Sequence, residues 1–345
     1  MKIEAVRAAF PSKKLTNGDI VDLIRENSVK TFSGDLEQTL RKIKTFLHYS
    51  GAIERYWLDK GEKPIDLLSR ATNEALVEAN CKKEEIDTLI YTGVDRGFVE
   101  PANAYFVAKS LGISKARCFD VADACMSWTT AVSLLDCMFK QGVSKRAMVV
   151  NAEFNQTHEN WIGYPKIFRL QSPNQVPYTF PGFTVGEAAT ATILSADENK
   201  WDFHFSQRSD LAHLCMSATR GADKYIHTPE DIPEFERFVS FGIEMHQLGS
   251  QECVNIFREL KTPSDQIKTV FPHASSKKAW VDAAKQVGVD DKMYFIYPGY
   301  GNLVSASVPA ALSLATAEGR IKRGDTLAGW VGSAGMSFAA YAFKY

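Results

Sequence analysis

Two spacings of hydrophobic residues alternate along this chain, one of helices and one of buried strands. Met1 to Phe10 reads as a first strand, and Thr16 or Asn17 caps the helix that follows. Leu36, Leu40, Ile43 and Leu47 recur at helical spacing after Ser33-Gly34-Asp35, predicting an amphipathic helix within 26–48. Ser50 to Trp57 reads as a turn into an extended segment, Pro64 to Ala79 as a helix, and Glu85 to Val94 as a strand. Pro101 is expected in the first turn of a helix that runs to Leu111 and stops at Gly112. Ala116 to Val121 is short and apolar enough for a buried strand, Thr129 to Phe139 has helical spacing, and Ala147 to Ala152 is the next strand. That order predicts an α/β protein with a mostly parallel sheet covered by helices.

Residues 160–184, rich in Pro, Gly and aromatics, read as a long excursion, and Gly186 to Ala196 returns to a strand. Residues 197–235 read as irregular, and a long helix is expected over Phe238 to Leu260. The first pattern then repeats: a strand over Gln266 to Pro272, a helix from Ser276 to Val287, a strand over Lys292 to Tyr297, a helix from about Ser305 to Glu318 and a strand from Asp325 to Val331. The reading therefore divides the chain into halves, 1–196 and 197–345. Aligning their strand–turn–helix units places Asn302 in the turn equivalent to the one that holds Cys125. It also puts His273 at the end of the strand equivalent to Ile86–Val94. Sites in open α/β sheets lie at the carboxyl ends of strands, so a duplicated frame would bring these positions together.

At 345 residues the chain is long enough for a large core, and its 45% hydrophobic and 23% charged residues are those of a globular protein. A net charge of −1 argues against nucleic acid or an anionic membrane as the main partner. Six scattered cysteines fit a reducing cytoplasm better than a disulfide framework, and no Cys/His spacing reads as a zinc site. No charged start with an apolar run marks a signal peptide, and Leu327 to Phe343, broken by Gly and Ser, reads as two buried strands.

Cys125 is the first candidate for chemistry. A cysteine between a buried strand and a helix start meets free N–H donors and partial positive charge, which favour the nucleophilic thiolate. The competing reading is a buried structural cysteine. His273 directly follows a buried strand, whereas nothing positions the other six histidines. Asn302, in Gly-Tyr-Gly-Asn, fits a plain turn asparagine equally well. Lys277, Lys278, Arg258 and Lys261 read as a solvated face, and Phe154, Trp161, Tyr164 and Phe183 as core aromatics before tunnel walls.

Asp120-Val121-Ala122-Asp123-Ala124-Cys125, Pro272-His273-Ala274, and Tyr300-Gly301-Asn302 followed by Ser305 to Leu312 resemble the ketoacyl-ACP synthase III branch of the thiolase superfamily. Thr16 to Asp19, Ser50 to Arg55, and Gly324-Asp325 ahead of the Gly332-to-Gly335 turn agree, so the resemblance covers essentially the whole chain. It implies a five-layered αβαβα fold of two duplicated halves, a homodimer, and acyl thioesters of CoA or acyl carrier protein as substrates, with no metal or bound cofactor. By resemblance, Cys125 takes the acyl group, His273 and Asn302 stabilise the enolate of a second thioester, and the backbone N–H groups of Cys125 and Ala334 form an oxyanion hole. The implied reaction is a Claisen condensation of specialised metabolism, with a polyketide- or pyrone-like product. Two stretches depart from the chain-initiating members: His273-Ala274-Ser275-Ser276 stands for His-Gln-Ala-Asn, and Thr184-Val185-Gly186-Glu187-Ala188 for Gly-Asp-Gly-Ala. Glu100 stands where olefin-forming and pyrone-forming relatives carry a glutamate that reaches into the partner's site as a general base; a carboxylate capping a helix N-terminus is the competing reading. The alternatives are transfer of the acyl group to an alcohol or amine, and a chain-initiating 3-oxoacyl-ACP synthase III.

Overall fold

The structure, a computed structural model, describes residues 1–156, 165–218 and 238–345. Its first sheet holds five strands, β1 (Lys2–Ala9), β4 (Thr88–Thr92), β5 (Arg117–Val121), β6 (Arg146–Glu153) and β7 (Ala188–Ser195), in the order β1-β7-β6-β4-β5. A small ribbon, β2 (Lys13–Thr16) with β3 (Glu54–Trp57), stands apart from it. The second large sheet orders β11 (Thr269–Pro272), β12 (Thr326–Ser333), β13 (Ser337–Lys344) and β8 (Asp202–Gln207) as β11-β12-β13-β8. A two-stranded ribbon pairs β9 (Cys215–Ser217) with β10 (Phe238–Ser240).

The two large sheets share one topology. In the first, β5, β4 and β6 are parallel, and β7 and β1 follow antiparallel. In the second, β11 and β12 are parallel, and β13 and β8 follow antiparallel. The strand expected over Lys292–Tyr297 would be the counterpart of β5, but it is reduced to a single parallel bridge between Val270 and Met293. The chain turns there into the short helix α9 (Tyr297–Tyr300). Conversely, residues expected to be irregular contain β8, and the first three residues of the expected Phe238–Leu260 helix form β10.

Helices lie on and between the sheets. Between them run α5 (Ser127–Lys140) and α10 (Ser307–Ala317), whose Trp128, Val132, Leu135, Val308 and Leu312 share one core with Val149, Leu194, Leu327 and Tyr341. The outer face of the first sheet is covered by α3 (Pro64–Glu78) and α4 (Asn103–Leu111), and that of the second by α7 (Gly242–Arg258) and α8 (Lys277–Val287). The result is five layers. Every residue of β7 is buried, as a strand covered on both faces must be, and α10 is apolar around most of its circumference because both sheets press on it.

A fourth core joins α1 (Asn17–Ser28) and α2 (Leu36–Ser50) to residues 167–183, which include the one-turn helix α6 (Val176–Thr179). Of the two cap candidates, Thr16 caps α1 and Asn17 is its first residue, with Asp19 completing a capping box. Pro101 falls outside α4, because the helix begins at Asn103 under a different cap: Asp120 accepts from the backbone N–H groups of Asn103 and Ala104 at 2.8 and 2.9 Å. Phe154 and Phe183 are fully buried in core clusters, while Trp161 and Tyr164 lie outside the described residues. All six cysteines are free. No helix among the described residues is long and apolar enough to cross a membrane.

Candidate active site

Cys125 sits in a single 3₁₀ turn, Ala124–Met126, between the end of β5 and the start of α5. The turn is tight: Ala124 adopts φ +44°, a left-handed value that costs a side chain of this kind. Its neighbours hold it there. The Asp123 N–H donates to the Ser127 hydroxyl at 2.8 Å, that hydroxyl donates to the Ala124 carbonyl at 2.8 Å, and Thr130 donates to the Asp123 carboxylate at 2.7 Å. From the other sheet, Ser333 at the end of β12 accepts from the Met126 N–H at 3.2 Å and donates to the Asp123 carbonyl at 3.3 Å.

The sulfur is more sheltered than its place in sequence implies. Burial pushes the Cys125 thiol far above its ordinary value, with Cys215 and Glu153 adding in the same direction. The Ala334 backbone N–H and the Ser333 hydroxyl pull the other way. Desolvation wins, so the resting group is a thiol. The thiolate expected from the helix start is not the resting form, because α5 begins two residues beyond the sulfur and its first turn cannot offset the loss of water.

His273 follows β11, and its backbone N–H donates to the Trp330 carbonyl of β12 at 2.8 Å, three residues before Ser333. The ring is buried, its Nδ1 has no partner among the described residues, and burial pushes its pKa down to about 4. It is therefore a neutral imidazole at physiological pH, able to donate one hydrogen bond but poorly suited to carry a proton.

Asn302 is fixed by the first half of the chain. Its N–H donates to the Thr184 carbonyl at 2.8 Å and its carbonyl accepts from the Gly186 N–H at 3.0 Å, forming a parallel bridge with Val185. Two glycines permit this contact. A Cβ on Gly186 would stand 2.0 Å from the Tyr300 carbonyl, and one on Gly301, where φ is +70°, would stand 2.4 Å from the Thr184 carbonyl. The side-chain Oδ1 of Asn302 accepts from the Val304 N–H at 2.8 Å, which leaves the Nδ2 end as the donor for another molecule.

These parts meet. The Cys125 turn packs against the Val304–Ala306 turn that follows Asn302 and against the end of β12 beside which His273 lies. Glu100 is not brought to them within one chain. It is exposed on the loop after β4, next to exposed Phe98 and Val99. Asn103 anchors that loop, accepting from the Gly97 and Phe98 N–H groups at 3.0 and 3.2 Å while donating its own amide to Asp120 at 2.9 Å.

Sequence reasoning missed Glu153, the last residue of β6. It is fully buried, and its carboxyl is pushed up to about 7 by desolvation despite several hydrogen bonds. The only signal was an acid at the end of the apolar run 147–152. Glu187 is a second buried carboxyl, raised to about 7 by burial while accepting the Leu58 and Gln156 N–H groups at 2.7 and 2.8 Å.

Residues 257–345 match the family model for the 3-oxoacyl-[acyl-carrier-protein (ACP)] synthase III C-terminal region. The beta-ketoacyl-[acyl-carrier-protein] synthase III of Fusobacterium nucleatum is 25% identical over 304 residues, covering 86% of this chain and 88% of that protein. Its Rhizobium rhizogenes counterpart is 26% identical over 327 residues, covering 92% and 91%. Among solved structures, a cysteine-to-serine variant of Xanthomonas campestris OleA with bound lauric acid and lauroyl-CoA superposes with a TM-score of 0.82 at 22% identity, covering 99% of this chain and 98% of that one. The 3-oxoacyl-(acyl carrier protein) synthase III of Xanthomonas oryzae gives 0.81 at 21% identity, covering 99% and 98%. At this identity the two structures show the fold, which is thiolase-like.

Proposed function

We propose that this chain, a ketoacyl-ACP synthase III-like condensing enzyme of the thiolase superfamily, joins two acyl thioesters by Claisen condensation through an acyl group on Cys125. The Cys125 sulfur attacks the first thioester, and the carrier thiol leaves with the proton the cysteine gives up. The backbone N–H groups of Cys125 and Ala334 hold the oxyanion of that step; support for this is that the Ala334 N–H favours the ionised sulfur. A second thioester then loses its α-proton to a base, or its carboxyl group as CO₂, and His273 and Asn302 donate to the enolate oxygen. The new C–C bond expels the cysteine sulfur as thiolate, which regains a proton from the base or from solvent. Fatty or β-ketoacyl thioesters of CoA or acyl carrier protein are the substrates we assign, and the chemistry balances without a metal or cofactor.

The observation that carries this reading is the Asn302 amide, whose oxygen is occupied by Val304 so that its NH₂ end is left to donate. Simple acyl transfer to an alcohol or amine forms no enolate and needs no such donor. We assign residues 1–196 to nucleophile delivery and 197–345 to His273 and Asn302. We further propose a cytoplasmic homodimer in which Glu100 serves the partner's site as a base. The exposed Phe98, Val99, Tyr105 and Phe106 around that loop support the dimer, and six free thiols support the compartment. Chain initiation in fatty acid synthesis is the second reading, favoured by the names of the sequence relatives.

Intact mass after incubation with an acyl-CoA tests the first step, and release of a C–C-joined product tests the second. Absence of any adduct on the wild-type protein would remove the whole scheme. For Glu100, replacement by Gln is expected to stop condensation while acylation persists; wild-type turnover in that variant would take the residue out of the mechanism.

A further inference from the structure

Glu153 is the best-connected buried acid near the candidate site, and nothing in the scheme above uses it. Its Oε1 accepts from the Ser305 hydroxyl at 2.5 Å and the Ser305 N–H at 3.2 Å, its Oε2 accepts from the Asn155 amide at 2.9 Å, and the Val94 N–H lies 3.3 Å from both oxygens. All four donors are uncharged. A hydrogen-bonded line also ends on it: Thr190 donates to the Asn151 Oδ1 at 2.8 Å, and Asn151 Nδ2 donates to the Ser305 hydroxyl at 3.0 Å. Each proton in this line points toward the carboxyl, the arrangement an acceptor-only carboxylate needs.

What Glu153 holds is specific. Ser305 lies in the Val304–Ala306 turn, whose Val304 N–H occupies the Asn302 oxygen and which packs on the Cys125 turn. Val94 begins the loop that carries Glu100. One side chain from the first sheet thus ties down both the Asn302 turn and the root of the Glu100 arm. Its negative charge also disfavours a negative charge on Cys125. Tyr91, Asp95, Asp120 and Arg96 share this corner.

We propose that Glu153 is a positioning residue: the reach of its carboxyl group fixes the Asn302 turn through Ser305. This rests on the reading of Cys125 and Asn302 above. A carboxylate one methylene shorter keeps the charge and loses the reach, whereas the amide keeps the shape and loses the charge. Reach and charge therefore separate in Glu153→Asp and Glu153→Gln.

The test is acyl-enzyme formation by intact mass alongside condensation, with circular dichroism and Tm to establish folding. In Glu153→Asp the acyl-enzyme should form as in wild type, and condensation should fall at least about tenfold. In Glu153→Gln, whose amide oxygen can still accept from Ser305, condensation should stay within about threefold of wild type. Wild-type condensation in Glu153→Asp, or equal loss of acylation and condensation in it, would overturn the proposal. If Glu153→Gln does not fold, the Glu153→Asp arm decides alone. A wild-type protein that never condenses would sink the proposed reaction, whereas a condensing wild type matched by Glu153→Asp would sink only the role of Glu153.

Discussion

Two turns occupy equivalent places in the duplicated frame, and they are held in opposite ways. The turn after β5 carries Cys125 and is secured by side chains: Ser127 and Ser333 bond its backbone, Thr130 bonds the Asp123 carboxylate, and Ala124 is forced to positive φ. The turn after the degenerate strand carries Asn302 and is secured by backbone: residues 301–302 dock on Thr184 and Gly186, with glycines making room. On the proposed reaction, a nucleophile that is acylated and freed in each cycle suits hydroxyl and carboxylate neighbours that can adjust. An amide that must only point is better served by main-chain contacts that cannot. One architecture thus supports a reactive position and a fixed one.

Replacing the reactive atom breaks this comparison most completely. Cys125→Ser should show no stable acyl adduct by intact mass, whereas Asn302→Ala should be acylated as fast as wild type. In Asn302→Ala the loss should appear in condensation, about 10²–10³-fold in kcat, as expected for one missing donor to an oxyanion. Equal loss of both steps in that variant would mean the amide does not act on the second substrate. Gly186→Ala probes the docking itself: its Cβ would collide with the Tyr300 carbonyl, so a loss of about 3 kcal/mol of stability is expected in urea unfolding. Gly299→Ala, where nothing stands within 4 Å, is the matched control and should fall within about 0.5 kcal/mol of wild type.

A pH measurement sharpens the comparison further. Glu187 binds its proton more tightly in the folded chain, at about 7 against an ordinary 4.5. Its contribution to stability is therefore fully present below about pH 4.5 and is lost as pH rises through about 7. Glu187→Gln should remove that dependence, gaining on wild type between pH 5 and pH 8 by up to about 3 kcal/mol. His273 runs the other way. Its lowered pKa gives stability above its ordinary value of 6.5 that is lost as pH falls toward 4. A Glu187→Gln protein with an unchanged pH slope would show that the buried carboxyl is not the source.

Most of the frame was legible because buried strands and amphipathic helices write themselves in period and caps: β7, α2 and the cap at Thr16 lie where the pattern allows them. The strand-end positions of Cys125, His273 and Asn302 came from the repeat of those units together with the family resemblance. What escaped depends on contacts between distant segments. The residues of β8 alternate Phe203 and Phe205 with Asp202, His204 and Ser206, but a half-exposed edge strand of six residues leaves a faint mark. The segment 292–297 is apolar because its side chains are needed in the core, and the pattern cannot say that its backbone pairs only at Met293. Glu153 escaped for a related reason, since a single acid after a strand does not disclose that four donors from three segments converge on it. Glu100 was legible as a residue, but its place relative to a second chain is written in neither the period nor the fold of one.

The bridge between Val185 and Asn302 joins residues 117 positions apart, one from each half of the chain. A ribosome has therefore long released the strand before the amide that leans on it exists. Until the later segment arrives, Gly186 offers an unfilled notch, and the donor end of the amide has no fixed bearing. On the proposed reaction, the donor for the second step is thus set late in the life of each molecule, only when the last third of the chain closes over the first half.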